Sequence, residues 1–441
     1  MKVSGWGRYP VVDTDILAPR TIEAAQIAIK RGGVARGNGR AYGDAAIGAE
    51  RTIAMGQIDR LRSFDPTTGE LTVEAGVLLA DIIRIFGPRG FFPRVVPGTC
   101  FVTVGGAIAS DVHGKNHHRD GGFGAQVKTL TLATGAGELI EVSPFENRDL
   151  FLATVGGMGL TGIIVEATLQ LRPIETGWIR QNTLVAPDLT KAIKILDKFN
   201  DATYSVAWVD CLAKGSKLGR SLIFLGEHAT SEDPDLKADG VNLYPAPITQ
   251  RFSVPIDFPS FALNRWSVAA FNELYFQLGA RQSGRPFLKP AIPYFFPLDS
   301  IGAWNRLYGR RGFVQHQCVL PAGGAVHVLA EMLGRIAARG DTSPLAVLKK
   351  LGSSPGMLSF PLAGYTLALD FPVSPGLLNF LEELDRLVVS AGGRLYLAKD
   401  ARQSQTTFEA GYPNLRQFRE IRRLLDPAGR VRSRLSDRLG I

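Results

Sequence analysis

Short apolar runs bounded by glycines alternate with amphipathic stretches over the first 175 residues of the chain. Leu71 to Val77, Leu130 to Thr134 and Gly162 to Leu169 are rich in β-branched residues, which predicts strands. The same criterion predicts strands within Gly32 to Gly37 and within Val102-Thr103-Val104-Gly105-Gly106-Ala107-Ile108-Ala109. Thr21 to Lys30 places Ile22, Ala25, Ile27 and Ile29 among polar residues, which predicts a helix with Thr21 as its N-cap. The region reads as α+β. From about Thr176 to Gly393 the glycine clusters thin and aromatics gather, as in Phe252 to Phe276. Phe313 to Leu320 alternates as a strand with one polar face, and Ala325 to Leu333 is a long apolar element. Thr230 to Pro247, polar and punctuated by prolines, is expected to be a mobile loop. A second domain is therefore expected to begin near residue 176.

Composition narrows the class. The 441 residues are 45% hydrophobic and 21% charged, enough to bury a sizeable core and too apolar for wholesale disorder. Glycine is abundant, 49 residues, without a G-X-Y period, so the excess serves turns and close backbone approach. Cys100, Cys211 and Cys318 lie far apart and form neither a disulfide framework nor a zinc spacing, which points to a reducing compartment. The first ten residues lack the apolar core of a signal peptide. No apolar run reaches the roughly 18 residues of a spanning helix, so a cytoplasmic or peripheral membrane-associated protein is expected. The net charge of +9 is mild for this length and comes with no nucleic-acid-binding motif. Its densest patch, Arg416 to Arg438, reads as a solvated helical face or as a patch for phosphate or an anionic membrane.

Three glycine clusters carry the candidate chemistry. The first, Arg36-Gly37-Asn38-Gly39-Arg40-Ala41-Tyr42-Gly43, could present backbone N–H groups to a diphosphate, although its spacing is not that of a Rossmann fingerprint. The second runs from Gly98 through Thr103-Val104-Gly105-Gly106 and Ser110-Asp111-Val112-His113 to Gly114-Lys115-Asn116-His117-His118. Its spacing is wrong for a nucleotide-triphosphatase P-loop, and Gly114 disfavours the helix that would align His113 and His117 on a metal. The third is Thr154 to Ile164. Each alone reads as a structural turn. Three within about 125 residues imply a long ligand lying along backbone, where a Cβ would collide.

These clusters together resemble the FAD domain of the vanillyl-alcohol-oxidase superfamily. More closely, the chain is similar nearly end to end to the decaprenylphosphoryl-ribose 2-oxidase family. The similarity includes Gly5-Trp6-Gly7-Arg8, His113-Gly114-Lys115-Asn116-His117-His118, Lys217-Leu218-Gly219-Arg220, Trp304-Asn305-Arg306 and Gly393-Arg394-Leu395-Tyr396 with Ala398-Lys399-Asp400. The resemblance implies an α+β fold: a two-subdomain PCMH-type FAD-binding domain split between residues 1–175 and 394–441. An α+β substrate domain built on an antiparallel sheet, residues 176–393, is inserted between them. It implies that FAD is held by Arg36 to Gly43, Gly98, Thr103 to Gly106, Ser110 to His113, Ile164 and Tyr396. Arg40 stands where many superfamily members tether FAD through a histidine, so non-covalent FAD is expected.

The activity implied is oxidation of the 2-hydroxyl of a polyprenylphosphoryl ribofuranose, with the flavin as hydride acceptor. Lys399, Tyr42 and His113 are the candidates for handling the hydroxyl proton. Gln315, Gln317, Lys349, Thr366, Ala368 and Lys399 are the implied substrate contacts, amides for sugar hydroxyls and Lys349 for the phosphodiester. The implied partners are a lipid-linked sugar phosphate, an NAD(P)H-dependent keto-sugar reductase, and quinone or oxygen as electron acceptor. Membrane contact would be peripheral, through Phe252 to Phe276 and the arginine-rich tail. Two positions depart from the family pattern. Ala368 replaces the cysteine that nitroaromatic inhibitors attack in mycobacterial members, and Thr366 replaces an asparagine. The alternatives are a FAD-linked alditol, aldonolactone or sugar/nucleoside tailoring oxidase and, from another class, a non-catalytic anion- or nucleic-acid-binding protein. No metal is expected.

Overall fold

The computed structural model describes residues 1–237, 241–245, 252–259, 262–340 and 345–441. Parts of the expected loop Thr230 to Pro247 fall outside the described residues. Two large antiparallel sheets dominate. In the six-stranded sheet the order is Leu139–Val142, Val127–Ala133, Ile163–Pro173, Glu70–Glu74, Leu61–Asp65, with Phe91–Pro93 pairing the far end of Ile163–Pro173. A small parallel sheet, Asp15–Leu17, Arg51–Ala54, Val34–Arg36, packs near it under the helix Ile22–Lys30. Thr21 caps that helix, its side chain accepting from Ala24 N.

The run Val102 to Ala109 corrects the strand expectation: Val104–Ala109 is a helix. Its β-branched residues favour extended backbone, but tertiary contacts decide otherwise. The Thr103 hydroxyl accepts from Gly106 N at 3.2 Å and starts the turn. Gly105 lies so close to Ala75 that a Cβ there would come within 2.8 Å of the alanine's own. Gly105 N donates to Ala75 O at 2.8 Å, fastening the helix to the strand end Glu70–Glu74.

The eight-stranded sheet runs Phe287–Pro290, Trp178–Ala186, Ser221–His228, Tyr204–Val209, Ala346–Leu351, Gly364–Pro372, Phe313–Pro321, Arg394–Leu395. Helices Leu189–Lys198, Ala325–Arg339 and Leu377–Ser390 cover one face and close the largest apolar core. Strand periodicity assigns the faces. In Phe313–Pro321, Val314, Cys318 and Leu320 enter that core, and His316 on the same side bonds Asp385 at 3.0 Å. Gln315 and Gln317 point the other way. Leu367, Leu369 and Phe371 likewise enter the core while Ala368 faces out of it. Ile163–Pro173 ends the first large sheet and Trp178–Ala186 starts the second. After Arg394–Leu395 the chain packs with Ala45, Ala153, Met158 and Leu160.

Candidate active site

The opposite face of the eight-stranded sheet meets the glycine clusters across a cavity of about 420 Å³. One end is made of backbone. Gly37, Asn38, Gly39, Arg40, Ala41 and Tyr42 line it, opposite Gly98, Thr103, Gly105, Gly106, Ser110, Val112, His113 and Ile164. At Gly37 a Cβ would lie 2.1 Å from Thr103 Oγ1, and Gly39 takes φ +64°, a left-handed conformation that favours glycine. Gly98 has nothing within 4 Å of where its Cβ would stand, so it faces open cavity.

Several of the sequence-predicted cofactor residues stand behind this wall. Arg36 turns away to donate to Ser4 O at 2.8 Å and Ala46 O at 3.3 Å, pinning the loop from its back. Gly43 packs against Asp400, whose carbonyl oxygen would sit 1.7 Å from a Cβ. Val104 is buried beneath the wall. Asp111 points inward, accepting from Gly124 N at 3.0 Å and Ser354 Oγ at 2.7 Å. Tyr396 lines the cavity, donates to Ser110 O at 2.8 Å and stacks on Phe360.

The cavity's residues fit a long anionic cofactor. Arg40 lies over the Trp6 ring, 4.0 Å from its centre, and its buried Nε has no hydrogen-bond partner among the described residues. A guanidinium N–H left unpaired beside a glycine cradle suits a diphosphate. Among the described residues no cysteine lines the cavity. His113, the lining histidine, has both ring nitrogens engaged within the protein.

The other end is made of side chains. Lys399 Nζ stands 3.4 Å from the centre of the Tyr42 ring. Asp370, fully buried, accepts from Gln315 Nε2 at 2.6 Å and from Tyr308 Oη at 3.0 Å. Burial drives Lys399 down to about 7 against the pull of Asp370, with Lys349 adding repulsion. Burial likewise raises the Asp370 carboxyl above the usual carboxylate range. Tyr42 is pushed well up by burial and then by Asp370, so it keeps its proton. His113 is pushed well down by burial, then by the charges of Lys349, His117 and Lys399, so its ring is neutral. Its Nδ1 lies 3.1 Å from Lys349 Nζ and its Nε2 lies 2.7 Å from the Gln317 carboxamide. The Gln317 NH2 faces Nε2, so Nε2 accepts and the proton of the neutral ring lies on Nδ1, where the Lys349 amine accepts it when neutral.

Gln315, Gln317, Lys349, Ala368 and Lys399 therefore share one cavity with His113 and Tyr42. Thr366 does not reach it; its hydroxyl sits behind Gln317 and accepts from that amide at 3.2 Å. His117 and His118 diverge, toward Gly352 N and Ala202 O. Among the described residues no cluster of His, Cys, Asp or Glu could hold a metal ion.

Sequence reading missed Lys115, Lys289 and Trp208, which line the cavity, and Asp370, which faces Lys399. Lys115 had a local signal, its place among the histidines of the second cluster. Asp370 had a weaker one, the two-residue spacing from Ala368 on one strand face. Lys289 and Trp208 had none.

Comparison with known proteins agrees with this geometry. A family model described as an FAD binding domain matches residues 20–143. A second, described as D-arabinono-1,4-lactone oxidase, matches residues 368–439. Bos taurus L-gulonolactone oxidase is 34% identical over 31% of each chain. An uncharacterised protein of Streptomyces coelicolor is 35% identical over 83% of this chain and all of its own length. Decaprenylphosphoryl-beta-D-ribose oxidase of Mycolicibacterium smegmatis is 38% identical over 99% of this chain and 97% of that protein. The glycine wall thus lies largely within a recognised FAD-binding domain, and near-complete alignment extends the kinship to the side-chain end: the chain belongs to the decaprenylphosphoryl-β-D-ribose oxidase family of FAD-dependent oxidoreductases.

Proposed function

We propose that this protein oxidises the 2-hydroxyl of a polyprenylphosphoryl-β-D-ribofuranose to the 2-keto sugar, using non-covalent FAD. The observation that carries the reading is an amine driven to about 7, Lys399, opposite sugar-binding amides in a cavity whose other end is a glycine cradle. FAD, when bound along that cradle through Arg40 and the Gly37–Ala41 and Thr103–His113 backbone, supplies the two-electron acceptor. The chain's own task is to hold the sugar and take its proton.

Lys399 is the base. An amine with a pKa near the working pH is present in its neutral form and still accepts a proton readily. Asp370 and the Tyr42 ring both favour the ammonium that results, one by charge and one by its π face. Tyr42 keeps its own proton and acts as the platform. Gln315 and Gln317 supply amides for the ring hydroxyls, and neutral His113, held between Lys349 and Gln317, orients that pair.

In this reading residues 1–175 and 394–441 form the split FAD domain and 176–393 the inserted substrate domain. The keto sugar passes to an NAD(P)H-dependent reductase, and quinone or oxygen is the terminal electron acceptor. Peripheral membrane contact runs through the helix Arg265–Ala280, which exposes Trp266 (80% accessible), Phe271, Leu274 and Leu278 while Tyr275 lines the cavity. The arginine-rich tail is a weaker candidate. Arg438 pairs with Asp44 and Asp400, Arg419 with Glu409, and Arg422 bonds backbone carbonyls. No helix among the described residues is long and apolar enough to cross a membrane.

Anaerobic addition of a polyprenylphosphoryl ribose to the purified yellow protein is expected to bleach the flavin bands, and acid is expected to release the flavin. A yellow protein that bleaches with free aldonolactones or alditols and not with the lipid-linked ribose would replace this reading with the aldonolactone-type oxidase.

A further inference from the structure

Four lysines enter the cavity, and three of them form no ion pair among the described residues. Lys289 projects from the edge strand Phe287–Pro290, Lys115 from the second glycine cluster and Lys349 from the strand Ala346–Leu351. All four line one cavity; Lys115 feels the charges of both Lys289 and Lys349, and Lys349 in turn bears on Lys399. Among the described residues none of Lys115, Lys289 and Lys349 forms an ion pair, whereas Asp370 bears on Lys399. The Lys115 ammonium rests on the Tyr294 ring, 4.1 Å from its centre, and bonds Tyr294 O, so its position is fixed without a ligand. Burial lowers all three amines, Lys349 to about 8. Gathering like charges in a cavity is unfavourable unless an anion completes the site.

We infer that Lys115, Lys289 and Lys349 form a phosphate subsite, separate from the proton-handling Lys399, which takes the phosphoryl group of the lipid-linked sugar. The proposal rests on the function above and adds residues and a direction to it. Trp208 and Phe224, from neighbouring strands, and Tyr275, from the helix Arg265–Ala280, line the same cavity. They give the prenyl chain an apolar path from the phosphate toward that helix's exposed face.

The test is calorimetric titration of the flavin-loaded enzyme with geranyl phosphate and, separately, inorganic phosphate. The parent is expected to bind geranyl phosphate. Lys289→Gln, on an edge strand, and Lys115→Met are each expected to weaken it about tenfold, the loss of one charged hydrogen-bond partner, with flavin content and melting temperature retained. Lys289→Arg is expected to restore most of the affinity. Preference for geranyl over inorganic phosphate assigns the site to a lipid phosphate, and equal affinity assigns it to soluble phosphate esters. Undiminished affinity in both variants, or no binding by the parent, overturns the subsite. The two readings separate cleanly. Substrate bleaching with lysine-independent geranyl phosphate binding removes the subsite alone, and lysine-dependent binding without bleaching removes the proposed substrate alone.

Discussion

The two ends of the cavity are built by opposite means. The proposed cofactor end comes from short contiguous segments, Gly37–Tyr42 and Gly98–His113, and is walled by backbone where side chains are absent. The proposed substrate end draws one or two side chains from each of several strands, with Gln181, Lys289, Gln315, Lys349 and Ala368 distant in sequence. The first tolerates little added volume and the second little lost chemistry. A cofactor common to many oxidases can be met by a fixed cradle, whereas a particular sugar needs functional groups that the pleat alone brings to one face.

The largest effect expected lies at the substrate end. Lys399→Met is expected to slow flavin reduction by about 10²–10⁴-fold, the range for loss of a general base, while FAD binding persists, as single-turnover absorbance would record. An FAD-free Lys399→Met protein would erase the division of labour between the two ends. At the cofactor end, Gly37→Ala forces a methyl against Thr103 Oγ1 at 2.1 Å, an overpacking of about 1–3 kcal/mol. Loss of bound flavin and a lowered melting temperature are expected together. Gly98→Ala meets no protein atom and is expected to change apoprotein stability by less than about 0.5 kcal/mol, yet to weaken flavin retention on dialysis.

A pH profile sharpens the comparison further. Because burial depresses Lys399 to about 7, the proposed base is protonated and idle below that pH and free above it. The reductive rate is expected to rise with pH through about 7. Asp370→Asn removes a charge that holds the proton on Lys399, so the midpoint is expected to move down. A midpoint moving up would assign the titration to another group. Smaller again is the surface effect: Trp266→Ser with Leu274→Ser is expected to reduce flotation with anionic vesicles without altering flavin content. The smallest is chemical. With Ala368 in place of cysteine and Cys100 and Cys318 buried off the cavity, a reduced nitroaromatic inhibitor is expected to leave no adduct in residues 366–371 by mass spectrometry, and Ala368→Cys is expected to introduce one.

Legibility in the sequence followed the same divide. Thr21 and the helix after it, and the strands around Leu71, Leu130 and Ile163, follow local period and capping chemistry. The helix Val104–Ala109 did not, because Ala75 and the Thr103 hydroxyl outweigh the strand propensity of its residues. Arg36, Gly43, Val104 and Asp111 sit inside recognisable motifs yet face away from the cavity; a motif gives spacing, and the turn of the loop gives direction. Gln315 and Gln317 were legible through family resemblance and strand alternation, whereas Lys289 carried no local mark at all.

By itself the sequence determined the α+β class, the glycine clusters that admit a long cofactor, and the family. These are properties of contiguous segments, where backbone freedom and periodicity act over a few residues. Tertiary structure alone decided that Lys115, Lys289, Lys349 and Lys399 line one cavity, that Asp370 bears on Lys399, and that among the described residues none of Lys115, Lys289 and Lys349 forms an ion pair. Such couplings depend on distance and burial between residues far apart in the chain, and neither quantity is written in the order of amino acids.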